Sequence, residues 1–302
     1  MLDFSTLPRR NKTYAGANGS KIAVIYENAL YMLKFPGAAK LNQDLSYANG
    51  CISEYLGSHV FALAGIPAQE TLLGTYTMNG KKKIVVACRD FAAGGLVLQD
   101  FTSMKNTVLD SGSNGTGTEL DDILEAIEKQ TLMDPELVMQ RFWDMFIIDA
   151  LIGNWDRHNG NWGFLYNTLS DEVQLAPVFD CGSCLFPQAD ETIMQAVLED
   201  RAERELRIYD RPLSAIRLQG QKLNYFSFIS SLKYPECNAA LKRIAPRIQA
   251  QDIRELIQNT PYINDLQKDF YTTMLMERKE RILDFSLQKL LKRERQKDRE
   301  ER

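Results

Sequence analysis

Residues 153–162, with the sequence Gly-Asn-Trp-Asp-Arg-His-Asn-Gly-Asn-Trp, decide the fold of this chain. They follow a predicted helix that begins at Asp134-Pro135, so they lie on a loop that leaves a rigid element, where catalytic residues are common. Asp156 and Asn161 are five positions apart. At this spacing an Asp can take the proton of an acceptor hydroxyl while an Asn holds magnesium during phosphoryl transfer. We therefore predict Asp156 and Asn161 as catalytic residues.

A second acidic motif follows this loop. The apolar run at 175–179 predicts a strand, which ends at Asp180, and Gly182 stands two positions later. An Asp in this position after a catalytic loop is typical of a metal ligand. Mg²⁺ is a hard cation that prefers oxygen ligands, such as those of Asn161 and Asp180. We therefore predict a magnesium site at Asn161 and Asp180.

The first part of the chain predicts a small α+β unit. The predicted elements are two strands (Ile22 to Tyr26 and Leu30 to Phe35), a helix (Cys51 to Leu63) and two further strands (Thr71 to Thr77 and Lys83 to Phe91). The turns Glu27-Asn28 and Asn79-Gly80 join the strands of each hairpin. Gly65-Ile66-Pro67 ends the helix.

Lys34 is the strongest candidate for binding a nucleotide. It ends an apolar strand, where an unpaired charge is unfavourable, and Glu54 in the following helix could pair with it. Such a Lys–Glu pair holds the α- and β-phosphates in kinases, so Lys34 is also predicted as catalytic. The other predicted nucleotide contacts are a glycine-rich turn, a hinge and residues of the two motifs: Gly16, Ala17, Asn18, Gly19, Ser20, Lys21, Glu54, Ala87, Cys88, Arg89, Phe91, His158 and Asp180.

The rest of the chain is predicted to be mostly helical. Residues 111–118 are a polar glycine-rich tract and predict a flexible loop. Residues 190–290 contain several helical patterns separated by prolines, and the charged tail is predicted to be a solvated helix end. The sequence thus predicts an α+β, two-lobed protein-kinase-like fold. Its β-rich N-lobe would span residues 1–91 and its larger helical C-lobe residues 92–302.

Composition limits the possible functions. The chain has 302 residues and a net charge of -4, which argues against a dedicated nucleic-acid binder. No apolar run reaches the length of a membrane span, and the first ten residues do not resemble a signal peptide. The five cysteines fit a reducing compartment better than a disulfide framework. We therefore expect a cytoplasmic protein, while export to a host cell stays open.

Each motif taken alone has another interpretation. An Asp and an Asn on a turn usually bond to the backbone, and a Lys on a strand often extends to solvent. Cys181 and Cys184 imitate a redox motif, although no thioredoxin-like pattern surrounds them. The order of the motifs along the chain favours phosphoryl transfer over these alternatives. His59 is predicted to be structural.

These segments together resemble the HipA-like serine/threonine kinases. The likeness includes residues 14–17 (YAGA), 31–36 (YMLKFP), 53–55 (SEY) and both catalytic segments. A short subgroup of the family consists of the HipA C-terminal domain alone. With this subgroup the likeness extends to residues 143–146, 180–190 and 273–279. The resemblance implies ATP and Mg²⁺ as cofactors and a Ser or Thr hydroxyl of a protein as acceptor. It implies Lys34 for the phosphates, Asp156 as base, and Asn161 with Asp180 for magnesium.

The resemblance also implies a toxin and autophosphorylation near the glycine-rich turn, where Thr13 and Ser20 are the candidates. Fifteen residues precede Gly16, so we do not expect docking to an antitoxin through an extra N-terminal domain. The oligomeric state is not predicted.

Two other functions stay open. The pattern from Asp156 to Asn161 also resembles the catalytic loop of phosphoinositide kinases, which indicates a lipid or small-molecule kinase. Residues 187–198 contain no Lys or Arg, which disfavours an anionic lipid headgroup. A pseudokinase scaffold would lack one of Lys34, Asp156, Asn161 or Asp180, and all four are present.

Overall fold

An antiparallel sheet of five strands forms the N-terminal part of the computed structural model, which describes residues 2–14, 20–37, 49–109 and 114–300. The strands are β1 (Arg9–Arg10), β2 (Lys21–Tyr26), β3 (Ala29–Lys34), β4 (Thr71–Met78) and β5 (Lys81–Arg89), in the order β1-β2-β3-β5-β4. Because side chains alternate along a strand, Tyr31 and Leu33 face a small apolar cluster with Ala87 on one side of the sheet. Lys34 consequently lies on the other side, toward the rest of the molecule.

Both predicted hairpins are present, with corrections at their ends. β3 ends at Lys34, which pairs with the first residue of β2, so Phe35 lies beyond the ladder. β5 begins at Lys81 and ends at Arg89, because pairing starts directly at the Asn79-Gly80 turn, and Phe91 is not in the strand. Asn79 and Gly80 both have positive φ, which matches the right-handed twist of the strands. The short strand β1 was not predicted.

Helix α1 (Gly50–Leu63) connects β3 to β4 and was predicted within one residue. One face of the helix packs on the sheet through Ile52, Leu56 and Val60 in the main core. This core continues into the helical part of the chain, so α1 contacts both the sheet and the C-terminal helices. The helix is therefore placed between the two parts of the protein.

Helix α4 (Pro135–Ile152) is the central element of the larger part, and it leads to the loop of residues 153–162. As predicted, Asp134 caps its first turn by accepting a hydrogen bond from the backbone N–H of Glu136. The helix ends at Gly153 in the left-handed conformation (φ 61°), which favours glycine. The loop leads directly into β7 (Gly163–Asn167), the middle strand of a sheet with β6 (Leu96–Asp100) and β8 (Glu172–Leu175).

Most of the remaining chain is helical, as predicted. The helices are α2 (Phe101–Val108), α3 (Leu120–Lys129), α5 (Glu191–Glu199), α6 (Arg201–Glu205), α7 (Tyr225–Ser231), α8 (Pro235–Ile244), α9 (Ala250–Asn259), α10 (Asp265–Arg278) and α11 (Phe285–Glu300). The π-helical turns Leu206–Asp210 and Lys279–Asp284 follow α6 and α10. No helix within the described ranges is long and apolar enough to cross a membrane.

A hairpin that was not predicted interrupts the helical region. Its strands are β9 (Leu213–Leu218) and β10 (Gln221–Asn224). The sequence carried the signal for it, since Ser214 and Ile216 alternate toward the interior and Gln219-Gly220 forms the turn with positive φ. The prolines of this region were interpreted as breaks between helices, so the alternation was not assigned to strands.

The predicted flexible loop at 111–118 is also corrected where the structure describes it. The carbonyl oxygen of Gly117 accepts hydrogen bonds from Lys105 Nζ (2.7 Å) and Asn159 Nδ2 (2.8 Å). Thr118 is bonded to β9 through its hydroxyl and its carbonyl. Residues 114–118 are thus held against the catalytic segment, while 111–113 lie outside the described residues.

The architecture is α+β, with a β-rich part and a larger helical part. A division after residue 91 remains a prediction, since α1 packs on both parts.

Candidate active site

Lys34, at the end of β3, bonds to two carboxylates. Its Nζ atom lies 2.8 Å from Glu54 Oε2 and 2.8 Å from Asp180 Oδ1. Glu54 belongs to α1, and Asp180 follows the bridge that Val178 makes with Ala68. Three distant segments therefore meet at one ammonium group. The ion pair that the sequence predicted between Lys34 and Glu54 is present, and Asp180 joins it.

Glu54 ties helix α1 to the segment that carries Asp180. Its side chain is 1% exposed, and its Oε1 atom accepts a hydrogen bond from the backbone N–H of Cys181 at 3.0 Å. The helix can approach this segment because residue 57 is glycine. A Cβ atom at Gly57 would lie 2.6 Å from Cys181 Cβ, closer than real contacts allow. The carboxylate is therefore bonded on both of its oxygens.

The charges of this cluster shift the pKa values of its members. Burial by itself would lower the pKa of Lys34, but the carboxylates of Asp180 and Glu54 raise it well above its ordinary value. The positive charge of Lys34 lowers the pKa of Asp180 to about 2, although partial burial of this carboxylate, which is 43% exposed, opposes the shift. Near neutral pH the cluster consequently contains an ammonium group and an ionised Asp180.

Two residues of the predicted glycine-rich turn, Ser20 and Lys21, are described by the structure and lie beside Lys34. Gly16, Ala17, Asn18 and Gly19 lie outside the described residues. Lys21 pairs with Lys34 across the β2–β3 ladder, and the carbonyl of Ser20 accepts a hydrogen bond from the N–H of Phe35. Burial and the nearby charge of Lys34 lower the pKa of Lys21. β2 therefore begins at Lys21, directly opposite Lys34.

The predicted hinge residues divide between the two faces of β5. Cys88 is buried on the face of Lys34, and its pKa is raised well above the ordinary value by burial. Ala87 and Arg89 lie on the opposite face, where Arg89 pairs with Glu70 at 2.8 Å. The structure therefore does not bring their side chains to the cluster. Phe91 packs against Phe179, with ring centroids 5.6 Å apart, directly before Asp180.

The segment with Asp156 and Asn161 folds back on itself. Asn161 Nδ2 donates to the carbonyl oxygen of Asp156 at 2.8 Å. The amide oxygen of Asn161 has no hydrogen-bond partner among the described residues. Burial raises the pKa of Asp156, as does the carboxylate of Asp180, while His158 opposes this shift. His158 is exposed, and its Nδ1 atom accepts a hydrogen bond from the N–H of Gly160. The fold hence brings both predicted acidic motifs to one place.

A buried ionic network beneath this loop was missed by the sequence analysis. Arg157 bonds to Asp149 of α4, with Nε 3.0 Å from Oδ2 and Nη2 3.2 Å from Oδ1. A signal for it exists in the sequence. Asp149 is the only charged residue in the apolar run 145–153, and a charge in a buried helix requires a partner. The motif assigned a role to Asp156 and none to the neighbouring Arg157.

The oxygen atoms of Asp180 and Asn161 fit a magnesium site. Asp180 Oδ1 bonds to Lys34, and among the described residues Oδ2 has no hydrogen-bond partner. No cluster of three or more His, Cys, Asp or Glu side chains that could hold a metal occurs in the described part of the chain. Mg²⁺ commonly takes only one or two protein carboxylates and completes its shell with water and substrate phosphates. Two protein oxygens therefore suit magnesium that arrives with a nucleotide.

Cys181 and Cys184, whose spacing imitates a redox motif, do not have the features of a reactive thiol pair. Cys181 and Cys184 are fully buried, and burial raises the pKa of both thiols. A reactive cysteine is usually partly exposed with a lowered pKa. His59, predicted as structural, bonds to the carbonyl of Tyr55 within α1.

Comparison with known proteins identifies relatives over nearly the whole chain. The family model described as the HipA-like C-terminal domain matches residues 12–260. The serine/threonine-protein kinase CtkA of Helicobacter pylori strain J99 is 47% identical over 274 residues, which are 90% of this chain and 83% of that protein.

Solved structures agree with this relationship. The crystal structure of a Helicobacter pylori proinflammatory kinase CtkA matches with a TM-score of 0.91 and 45% identity, covering 96% of this chain and 98% of that chain. A chain from the Shewanella oneidensis MR-1 toxin–antitoxin complex of HipA, HipB and operator DNA matches with a TM-score of 0.56 and 16% identity, covering 92% and 67%. The second likeness shows the fold alone. The predicted two-lobed, kinase-like fold is confirmed.

Proposed function

This chain belongs to the family of HipA-like C-terminal domains, and from this premise we propose that it is a serine/threonine protein kinase that uses ATP. The observation that carries the proposal is the contact of Lys34 with Glu54 and Asp180. A partly buried ammonium group held 2.8 Å from two carboxylates, one of them 43% exposed, is suited to meet phosphate oxygens at the mouth of the site.

We propose separate roles for the residues of the site. Lys34, oriented by Glu54, binds the phosphates of ATP. Asn161 and Asp180 hold Mg²⁺, which when bound neutralises charge on the phosphate oxygens. These assignments rest on the contacts described above and on the family motif. The hinge contacts at Ala87 and Arg89 are not supported by the backbone, because β5 pairs on both sides with β3 and β4, and the N–H and carbonyl of Arg89 are bonded to Glu70 and Gln69.

Asp156 is proposed to accept the proton of the attacking hydroxyl. Its raised pKa favours this role, because a base is most effective when its pKa approaches the working pH. Asn161 fixes the loop by donating to the carbonyl of Asp156, so the carboxylate is presented at a defined position. Asp180, whose pKa is about 2, stays ionised throughout.

The acceptor is proposed to be a protein hydroxyl. The segment after Asp180 leads into α5, whose first turn carries Asp190 as its N-cap and Glu191. This acidic segment is unfavourable for an anionic lipid headgroup. It is compatible with a peptide, which supplies its own backbone for hydrogen bonding.

Autophosphorylation is proposed at Thr13 or Ser20. Both side chains are exposed; Thr13 precedes the predicted glycine-rich turn, and Ser20 belongs to it. The neighbours of Thr13 are anchored to the hinge, since the hydroxyl of Tyr14 donates to Asp90 at 2.8 Å and Lys12 also pairs with Asp90. A phosphate on Thr13 would add about -1.5 to -2 charge beside a site for polyphosphate. ATP affinity would then fall.

A toxin function, which the family resemblance implies, and a cytoplasmic location, which the composition predicts, also remain proposals. Expression of the wild type and of Asp156→Asn in a bacterium, with growth and cell fractions measured, tests both. Growth arrest by the wild type alone would support the toxin function.

The decisive experiment for the kinase function is transfer of a labelled γ-phosphate from ATP to proteins of a cell lysate, followed by identification of the modified amino acids. Asp156→Asn should retain nucleotide binding and lose turnover by at least ~10²-fold. Asp171→Asn is the matched control, because Asp171 is an exposed Asp in the β7–β8 turn. Label on lipid only would identify the alternative lipid kinase, and full turnover of a folded Asp156→Asn would contradict the proposal.

A further inference from the structure

Arg157 lies inside the catalytic loop, yet its side chain points away from solvent. The residue is 4% exposed, and the face of its guanidinium packs over the ring of Phe61 at 5.6 Å. The carboxylate of Asp149, which is 1% exposed, holds one edge of this guanidinium through two hydrogen bonds. The plane of the group is thereby fixed.

The other edge of the guanidinium joins two segments of backbone. Arg157 Nη1 donates to the carbonyl oxygen of Asn161 at 2.9 Å and also to the carbonyl oxygen of Phe179. Asn161 is one predicted magnesium ligand, and Phe179 directly precedes the other, Asp180. One planar cation therefore connects the backbone at both predicted metal ligands.

Asp149 is held in turn by the residues at the start of the loop. Asn154 Nδ2 donates to Asp149 Oδ1 at 2.9 Å, and Asn154 Oδ1 accepts from the N–H of Asp156 at 3.1 Å. The hydroxyl of Tyr225 donates to the carbonyl of Asn154 at 2.6 Å. The orientation of Arg157 thus depends on a network that also fixes the backbone of Asp156.

We propose that Arg157, oriented by Asp149, is a positioning residue that sets the separation of Asn161 and Asp180 and so determines the affinity for Mg²⁺ with nucleotide. This inference rests on the proposed function. Arginine suits the role because its rigid fork can hold a carboxylate with one edge and carbonyls with the other, whereas lysine offers a single point charge. Loss of an outer-shell partner of this kind typically lowers metal affinity about 10- to 100-fold.

A buried ion pair of the same helix supplies the comparison. Asp144, also on α4 and also buried, pairs with Arg243 of α8 through both of its oxygens. No described hydrogen bond connects Arg243 to a backbone carbonyl or to the catalytic loop. The two pairs are alike in chemistry and burial of the carboxylate, and they differ in the contact with the predicted metal ligands.

The test replaces each pair by apolar residues, Asp149→Leu with Arg157→Met and Asp144→Leu with Arg243→Met. Replacing both partners avoids an uncompensated buried charge, and such exchanges are often tolerated. Binding of a fluorescent ATP analogue is then titrated with Mg²⁺ and repeated in EDTA. The Asp149/Arg157 variant should need about 10- to 100-fold more Mg²⁺ and keep its affinity in EDTA within about twofold, because Lys34 is untouched. The Asp144/Arg243 variant should match the wild type in both buffers.

Hydrogen exchange supplies a readout that does not depend on nucleotide or activity. In the Asp149/Arg157 variant, amides of residues 156–161 and 179–182 should exchange faster together, and in the control variant they should not. An unchanged Mg²⁺ requirement with unchanged exchange, or equal changes in both variants, would overturn the inference.

Arg157→Lys decides the question if the apolar pair fails to fold. It keeps the charge and should raise the Mg²⁺ requirement, and a wild-type value would overturn the inference. Wild-type protein that binds Mg²⁺ with nucleotide but transfers no phosphate would contradict the proposed kinase function and leave this comparison valid.

Discussion

Removing the charge of Lys34 should destabilise the nucleotide-free protein mainly through Glu54. Glu54 is 1% exposed and depends on Lys34 for a compensating charge, whereas Asp180 is 43% exposed and can be hydrated. Lys34→Met leaves Glu54 buried without a cation. Lys34→Met combined with Glu54→Gln removes that charge and keeps an acceptor for the N–H of Cys181.

The magnitude follows from the geometry. Two unit charges 2.8 Å apart attract by about 6 kcal/mol at an effective dielectric constant of 20. Desolvation of the two groups offsets part of this attraction, and breaking a buried pair by removing one partner costs about 3–5 kcal/mol. We therefore expect Lys34→Met to lower the free energy of unfolding by about 3 kcal/mol or more. The double variant should be less destabilised than the sum of the single variants by about 2 kcal/mol.

The assay is urea denaturation of wild type, both single variants and the double variant without nucleotide at neutral pH. The exposed pair Lys242–Glu294, with side chains 46% and 43% exposed, is the control and should show a coupling below about 1 kcal/mol. If the Lys34 and Glu54 variants are additive within about 0.5 kcal/mol, Glu54 does not depend on Lys34 and the reasoning is refuted.

Three further predictions concern the site. Asp180→Ala should weaken ATP binding in Mg²⁺ far more than in EDTA, whereas Lys34→Ala should weaken ATP binding in both buffers. Calorimetry measures both affinities. Equal losses for Asp180→Ala in the two buffers would show that Asp180 is not a metal ligand. The pH profile of kcat/KM should fall on the acid side at a pH above the ordinary pKa of Asp, because Asp156 must be ionised and its pKa is raised. His158→Gln should move that fall to higher pH, since His158 lowers this pKa, and a shift to lower pH would contradict the assignment. Thr13→Glu should bind ATP more weakly than the wild type, and mass spectrometry after incubation with Mg-ATP should find phosphate on Thr13 or Ser20 that Asp156→Asn lacks.

Elements and candidate residues whose signals are local could be predicted from the sequence alone. Alternating apolar residues and the turn Asn79-Gly80 predicted both N-terminal hairpins, since side-chain period and turn conformation depend on neighbours in the chain. The cap at Asp134 located the start of α4 in the same way. The charge on a buried strand at Lys34 even required a partner, and the nearest acidic residue of the next helix was the correct one.

Only the tertiary structure decided which distant groups share a contact. That Asp180 bonds to Lys34, and that Arg157 joins Asp149 to two backbone carbonyls, depends on packing between segments far apart in sequence. The anchoring of 114–118 likewise depends on partners that no local pattern specifies. A buried polar group requires a hydrogen-bond or charge partner, and the sequence can show that requirement. It does not show which residue is the partner, because that depends on how the helices and sheets pack.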